Sequence, residues 1–495
     1  MNLAYLKSPD LSFFSDAKEQ LEQIISSLGS AHYANREHGE IEQYIRTEGD
    51  ELLRRLFQGY LDQKASIEPR LNFITSIAGD KLNHVKEQTS RKLTSLFGDV
   101  TVKRNRYNQR RQASQFPLDG ELNLAADQYS DGVRKRVAKE AIRGSYDEAV
   151  ETIRDTTGCS IAKRQSQNVV KDIAQDFEDY YQQNELSKRE ETQDILVLTC
   201  DGKGIVMRPD GLRECTRKAA QKSKKLNSRL SQGEKKDRKR MAQVAAVYTV
   251  LPHVRTPESI MKTEDEQDSK ISTMRPSARN KRVWASVERE TESVIEEAFE
   301  EALRRDPQNK REWVILVDGL PYQLKIINKI MKRLNVKATI VMDFIHVLEY
   351  LWKAAWCFFE KGDSAVEEWV ADRAIKILHG KCNQVAKGIR ISATRRKLVQ
   401  RDSVDKCASY LLKNKHNLKY GEALLSGFPI ASGVIEGACR HLINDRLDIT
   451  GARWSLIGAE SILKLRSIKS SGDFESYWEF HKQQSQVRLH RGFKV

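Results

Sequence analysis

Three short apolar runs, each closing on an aspartate, constrain this chain more than any other feature. "DILVLTCDGKGIVM" from residue 194 runs into Asp201-Gly202, "WVILVDG" from 313 into Asp318-Gly319, and "KATIVMDFIHV" from 337 into Asp343. A further strand is expected in "MAQVAAVYTVLP" (241–252), and helices in "VWASVERETESVIEEAFEEAL" (283–303) and "LPYQLKIINKIMKRL" (320–334). Apolar runs alternating with amphipathic helices predict an α/β sheet. Asp-Gly is ordinary turn chemistry and explains each aspartate singly. Ligands of such sheets gather at strand ends, however, so the three acids together predict carboxylates side by side at one edge. Hard divalent cations take oxygen donors of this type. Two such ions can clamp the attacking and leaving oxygens of a phosphodiester substitution.

A fourth acid lies in "PIASGVIEGACRHLINDRLDITGARWS" (429–455). Ile435, Ala438, Cys439 and Leu442 form a stripe to bury, and Glu436 stands four residues before Arg440 on a neighbouring face. An isolated Glu-Arg pair is usually a surface ion pair. Here the small-residue run around Glu436 predicts close approach of its helix to another backbone. Residues 344 to about 425 are helical in pattern and too long for a connection, which predicts a helical insertion. Trp352 and Trp356, four apart, are expected on the buried stripe of its first helix.

The 495 residues carry a formal charge of +15. Such an excess suggests a polyanionic partner, nucleic acid first and an anionic membrane second. Residues 213–240 hold twelve Lys or Arg and three acids. They read as an arm, mobile without DNA, that neutralises phosphates through Lys235, Lys236, Arg238, Lys239 and Arg240. Upstream, residues 12–65 have helical periodicity, and 92–107 read as a hairpin turning at Gly98-Asp99. Lys103, Arg104 and Arg106 on that hairpin are candidate phosphate contacts. Residues 145–177 have a helix-turn-helix layout, with the turn at Thr157-Gly158 and Ser160 as the expected cap of the second helix. The polar face of that helix carries Lys163, Arg164, Gln165, Gln167, Asn168 and Lys171, residue types that reach phosphates and base edges. The seven cysteines are scattered, with no Cys-x-x-Cys, which fits reduced thiols and gives no zinc spacing. No apolar run reaches 18 residues, which predicts a soluble, non-secreted chain with no membrane partner.

The order DGKG, VDGL, MDFIH and SGVIEGACRHLINDRLDITGARW closely resembles bacterial insertion-sequence transposases of the DDE type, and among them the ISKra4 family. The resemblance covers about residues 190–475, and its last block is the most specific. It implies an α/β catalytic core with a ribonuclease-H-like mixed sheet and a helical insertion, preceded by a mainly helical DNA-binding region. It also implies two Mg²⁺ or Mn²⁺ ions, cleavage of DNA at element ends and strand transfer into target DNA. The first acid maps to Asp201 and the glutamate to Glu436. Strand order favours Asp318 as the second acid, with Asp343 the alternative and Asp343-x-x-His346 a supporting motif. Arg440, His441 and Arg453 become candidate phosphate contacts. Trp454 is either core or a platform for a displaced base, with core favoured. Relatives often carry paired cysteines after the hairpin, whereas this chain has "YNQRRQASQFPLD" there, which speaks against a zinc module.

The expected organisation is a helical region with a hairpin (1–129), a helix-turn-helix region (130–190), the first part of the core with its arm (191–343), the insertion (344–428), the glutamate helix (429–475) and a basic tail (476–495). The expected protein acts as a homodimer or larger homo-oligomer on DNA, in the bacterial cytoplasm with the nucleoid. A non-catalytic DNA-binding derivative of such an element, and a nuclease without strand transfer, are the alternatives.

Overall fold

The computed structural model describes residues 10–76, 79–183, 190–222, 238–261, 276–360, 362–449 and 451–490. Lys235 and Lys236, with most of the arm, lie outside the described residues. The described chain divides into two compact units, residues 10–180 with 474–490, and residues 181–473.

In the first unit α1 (Ser15–Leu28) packs on α2 (His38–Ile67). A Cβ on Gly59 would stand 2.4 Å from the Phe13 carbonyl oxygen, so only glycine lets the chain before α1 lie on α2. After the short pair β1 (Ile74–Thr75) and β2 (Lys81–Leu82) comes the hairpin of β3 (His84–Ser95) and β4 (Gly98–Asn108). Leu61 and Ala65 of α2 join Leu93, Val100, Val102, Leu118 and Leu124 in one core. The hairpin turns at Leu96-Phe97, not at Gly98-Asp99. Ser95 pairs with Gly98, whose φ of 121° suits glycine. The helices α3 (Pro117–Glu121), α4 (Asp131–Arg143), α5 (Tyr146–Thr156), α6 (Lys163–Ala174) and α7 (Phe177–Gln183) follow.

Helices α4, α5 and α6 pack on one another, and a capping box of Ser145 and Glu148 starts α5. The cap position of α6 falls on Ala162, so Ser160 is not the cap. Gly158 in the turn has a packing reason. Its N–H donates to Leu96 O at 2.8 Å, and a Cβ there would meet Phe97 O at 2.6 Å. Residues 476–495 had been expected as a tail. Instead Phe474–His490 is a helix of this unit, with Tyr477, Trp478 and His481 buried. The Tyr477 hydroxyl donates to Ile173 O, and His481 and Arg488 hold Asp176 at 2.6 and 2.8 Å.

The second unit is mixed α/β. In chain order it comprises β5 (Ile195–Val206), α8 (Glu214–Lys222), β6 (Lys239–Val250), α9 (Pro257–Met261), β7 (Arg279–Ser286), α10 (Thr291–Arg305), β8 (Trp313–Val317), α11 (Pro321–Leu334) and β9 (Thr339–Met342). The insertion contributes α12 (Phe344–Ala355), α13 (Ala365–Leu378), α14 (Cys382–Arg395), α15 (Asp402–Lys413) and α16 (Tyr420–Leu425). The chain then returns through α17 (Gly433–Cys439), a π-helical turn (Arg440–Asn444) and α18 (Leu456–Ser471). The sheet order is β7-β6-β5-β8-β9. Strand β6 runs antiparallel to β5 and β7, and β8 and β9 run parallel to β5. Helices α10 and α17 pack on β5 and β6, and α18 packs on β7.

Three expectations change here. Residues 195–206 form one strand, so Asp201-Gly202 is no turn, and Asp201 pairs with Val244 inside the ladder. Residues 283–286 belong to β7, and the helix starts only at Thr291. The buried stripe of α12 is Phe344, Val347, Leu351, Ala354 and Ala355, whereas Trp356 is 43% exposed and Trp352 half-buried.

Candidate active site

The β8 strand is buried at every position and stops at Asp318, where Gly319 turns the chain at φ 85°. The phenol of Tyr410, on α15, donates to the Asp318 main-chain oxygen at 3.0 Å. Burial and then the charge of Asp201 push the Asp318 carboxyl up to about 6; Asp343 and Glu436 add to this and His346 opposes it. Asp201 accepts from its neighbour's Gly202 N–H at 2.6 Å and from the Cys439 thiol at 3.2 Å. Cys439 lies on α17, one turn beyond Glu436. Burial, then the charges of Asp343, Glu349 and Asp201, raise the Glu436 carboxyl. Carboxylates at 201, 318 and 436 therefore sense one another across elements far apart in sequence.

Asp343 is bound differently. One carboxylate oxygen caps α12 through the Ile345 N–H at 2.7 Å. The other accepts from the Ser432 N–H at 3.1 Å and from the Ser432 hydroxyl. Both oxygens are thus occupied, and what they hold is the residue before α17. Asp318 and Glu436, by contrast, have no side-chain hydrogen bond among the described residues. Ser432, Cys439 and Tyr410 escaped the sequence reading. Cys439 was legible only as part of the buried stripe, and Tyr410 had no signal.

His346 stands edge-on to Tyr350 and Tyr410, whose rings stack 4.3 Å apart. These three, with Asp318, Lys406 and Lys413, line a cleft of about 660 Å³. The helix of "ASGVIEGA" does approach other backbones, those of β5 and β6, but not through its glycines: Cβ atoms on Gly433 and Gly437 would meet open space, and both line a cavity of about 710 Å³. Arg440 faces Asp445 at 3.7 Å rather than Glu436. His441 pairs with Asp445 at 3.1 Å, and Arg440, His441 and Arg453 are exposed. Trp454 is core, its indole N–H donating to Leu447 O at 3.1 Å.

Oxygen donors of this kind suit a hard divalent cation, and the mutual repulsion of Asp318 and Asp201 is what such an ion relieves. Among the described residues no three acids, His or Cys already close into a cation cage.

Without divalent cations Asp318 has a direct stability signature. Its folded pKa, about 6, lies above the unfolded value of about 3.9. The folded state therefore keeps a proton that the unfolded state loses, and stability falls as pH rises from about 4 to about 6. The Asp318→Asn protein is expected to be more stable than wild type at pH 7 by on the order of 1 kcal/mol, after allowing for solvent screening. The difference should vanish below about pH 4. Thermal melts in chelator across this range check it, and an Asp318→Asn protein that melts no higher than wild type at pH 7 refutes it.

The basic candidates separate by burial. On α6, Lys163, Arg164, Gln165, Asn168 and Lys171 are exposed and Gln167 is half-exposed, while Val169, Val170 and Ile173 are buried. Lys163 leans on Asp147 at 2.5 Å. Arg104 is not a free phosphate contact. It is buried against Asp119 at 2.6 Å and over the Phe116 ring. Lys103 is exposed and pairs with Asp62 at 3.4 Å, and Arg106 is half-buried. The arm begins as helix α8 rather than loop. Arg238 is half-buried, Lys239 pairs with Asp448 at 3.0 Å, and Arg240 donates to the main-chain oxygens of Val287, Gly211 and Glu288.

Residues 65–243 match an uncharacterised protein family, UPF0236. That stretch includes Asp201 and stops before Asp318, Asp343 and Glu436. No curated protein matches the chain.

Proposed function

We propose that this chain is a DNA transposase of the DDE type, cutting at insertion-sequence ends and joining the freed 3′ end to target DNA in the bacterial cytoplasm. One observation carries the reading: the parallel register of β5 and β8 sets Asp201 level with Asp318, and α17, packed on β5, bonds Asp201 through Cys439 one turn beyond Glu436, although 117 and 118 residues separate the three acids in sequence. The sheet order β7-β6-β5-β8-β9, in which only β6 runs antiparallel to its neighbours while β5, β8 and β9 are parallel, supports a ribonuclease-H-like core. Among the described residues no helix is long and apolar enough to cross a membrane.

In this reading Asp201, Asp318 and Glu436 would hold two Mg²⁺ or Mn²⁺ ions after drawing closer together, since no three such groups among the described residues form a cation site as they stand. When bound, the ions supply activation of the attacking oxygen and stabilisation of charge on the phosphorus. The chain's own residues supply placement. Asp343 grips Ser432 and so fixes the start of the Glu436 helix. The Cys439 thiol orients one oxygen of Asp201, and His346 offsets negative charge at Asp318. Arg440, His441 and Arg453, exposed beyond α17, are placed to receive backbone phosphates.

The test starts by seeking inverted repeats beside the gene, and a duplex carrying them is then incubated with full-length protein and Mg²⁺ or Mn²⁺. Cleavage at the repeat boundary, followed by joining of a pre-cut end to a second duplex, is expected. Cleavage without joining makes the chain a nuclease, and binding without either makes it a non-catalytic derivative.

End recognition is assigned to the exposed face of α6. The final helix completes the first unit, so the full chain is the material to use. Arg164→Ala or Asn168→Ala should weaken binding to repeat ends by roughly 1–3 kcal/mol, the worth of a good base contact, and leave random duplex unaffected. Equal losses on both duplexes in a competition titration would move base reading elsewhere.

A further inference from the structure

We propose that the outer face of α2 is a surface through which two copies of this chain associate. Ile45, Leu53, Leu56, Tyr60 and Ile67 are 46, 42, 39, 41 and 66% exposed. With Gly49, whose Cβ position opens on empty space, they follow one another in steps of four, four, three, four and seven. That spacing keeps them on one narrow stripe of the helix, with Gln63 between Tyr60 and Ile67, a face on which one helix can meet another.

Both other sides of α2 are already used. Glu48 accepts from Gln20 of α1, and Arg55 reaches Asp16 O. On the other flank Gln58 exchanges hydrogen bonds with Thr101, and Leu61 and Ala65 enter the core against β4. The apolar seam is what remains, on a helix of 30 residues. At these exposures the five side chains present on the order of 400 Å² of apolar surface, within the range of the largest patch on a typical monomer and about half of the roughly 800 Å² a side of a standard interface.

A second copy is the occupant that the seam fits. Glu42 shares the face, and Arg46 beside it is paired with Asp50 at 3.2 Å, so the seam carries no net positive charge to draw DNA or anionic lipid. A two-fold contact needs a self-complementary stripe, and Leu56 is the midpoint of 45–67. It meets its own counterpart whether the paired helices run parallel or antiparallel. The association needs none of the chemistry proposed above.

Sedimentation of the full-length chain should give twice the monomer mass at micromolar concentration, and Leu56→Glu with Tyr60→Glu should halve it. These side chains are exposed, so the helical circular dichroism should persist. Leu56→Cys, which stays apolar, gives an independent reading. With added oxidant it should form a disulfide-linked dimer well above the background from the chain's own cysteines. A monomeric wild type, a double variant that remains dimeric, or the absence of cross-linking through position 56 each overturns the assignment.

Discussion

Asp201→Asn, Asp318→Asn and Glu436→Gln should each lower cleavage of a repeat-end duplex by on the order of 10³-fold or more, about 4 kcal/mol of barrier. Affinity for the same duplex should hardly change. Each substitution removes one negative oxygen donor and keeps the shape of the side chain. Asp318→Asn should even stabilise the fold at neutral pH, since the wild-type carboxylate is ionised there against burial and the charge of Asp201. Asp343→Asn should behave differently. An amide cannot accept at all three donors that the carboxylate now serves, the N–H groups of Ile345 and Ser432 and the Ser432 hydroxyl. Its cost should appear as lost stability, about 1–3 kcal/mol for a buried donor left unmade. Loss of activity at Asp343→Asn with an unchanged melt, alongside an active Asp318→Asn, would exchange the two roles.

The largest effect on stability is expected from Arg282→Met. Arg282 on β7 is buried, and its guanidinium donates to Glu301 and Glu297 of α10, each at 2.7 Å. It also lies over the rings of Tyr181 and Trp284. Burial works against its charge, but Glu301 and Glu297 outweigh it and hold the guanidinium above its ordinary pKa. Glu301 is 1% exposed on its side chain. Replacing the whole cluster by apolar residues could be neutral, but removing one member leaves a buried charge short of partners, at about 3 kcal/mol or more. For a unit of this size that is a fall of roughly 5 °C in melting temperature. Arg305 still reaches Glu301 at 2.7 Å, which keeps the loss short of complete unfolding. A melt within two degrees or so of wild type would show that Arg304, at 3.2 Å, and Arg305 together satisfy Glu301.

The acids were legible in sequence for unequal reasons. Asp318 ends a five-residue apolar run and is followed by a glycine at positive φ, so local pattern and structure agree. Asp201 was set at a strand end because Asp-Gly imitates a turn. The ladder overrides this, since every residue from Ile195 to Val206 has a partner on β6. The start of β7 was hidden because "RVWAS" runs into the next helix without a glycine or proline between. Arg104 and Arg240 were read as basic and therefore free. Whether a guanidinium is spent on Asp119, or on carbonyls of Val287 and Gly211, depends on partners that no local pattern reveals. Asp343 is the same lesson for an acid, occupied by a serine 89 residues away.

The final helix has a consequence for synthesis. The first unit holds residues up to 180 and needs Tyr477, Trp478 and His481 to close its interior. At about 5–20 residues per second, a ribosome needs some tens of seconds to travel from one stretch to the other. During that interval Ile173 and Asp176 wait without the side chains that cover them. Translation that stops early, even past Glu436, therefore releases a chain with every acid present and its leading unit unfinished.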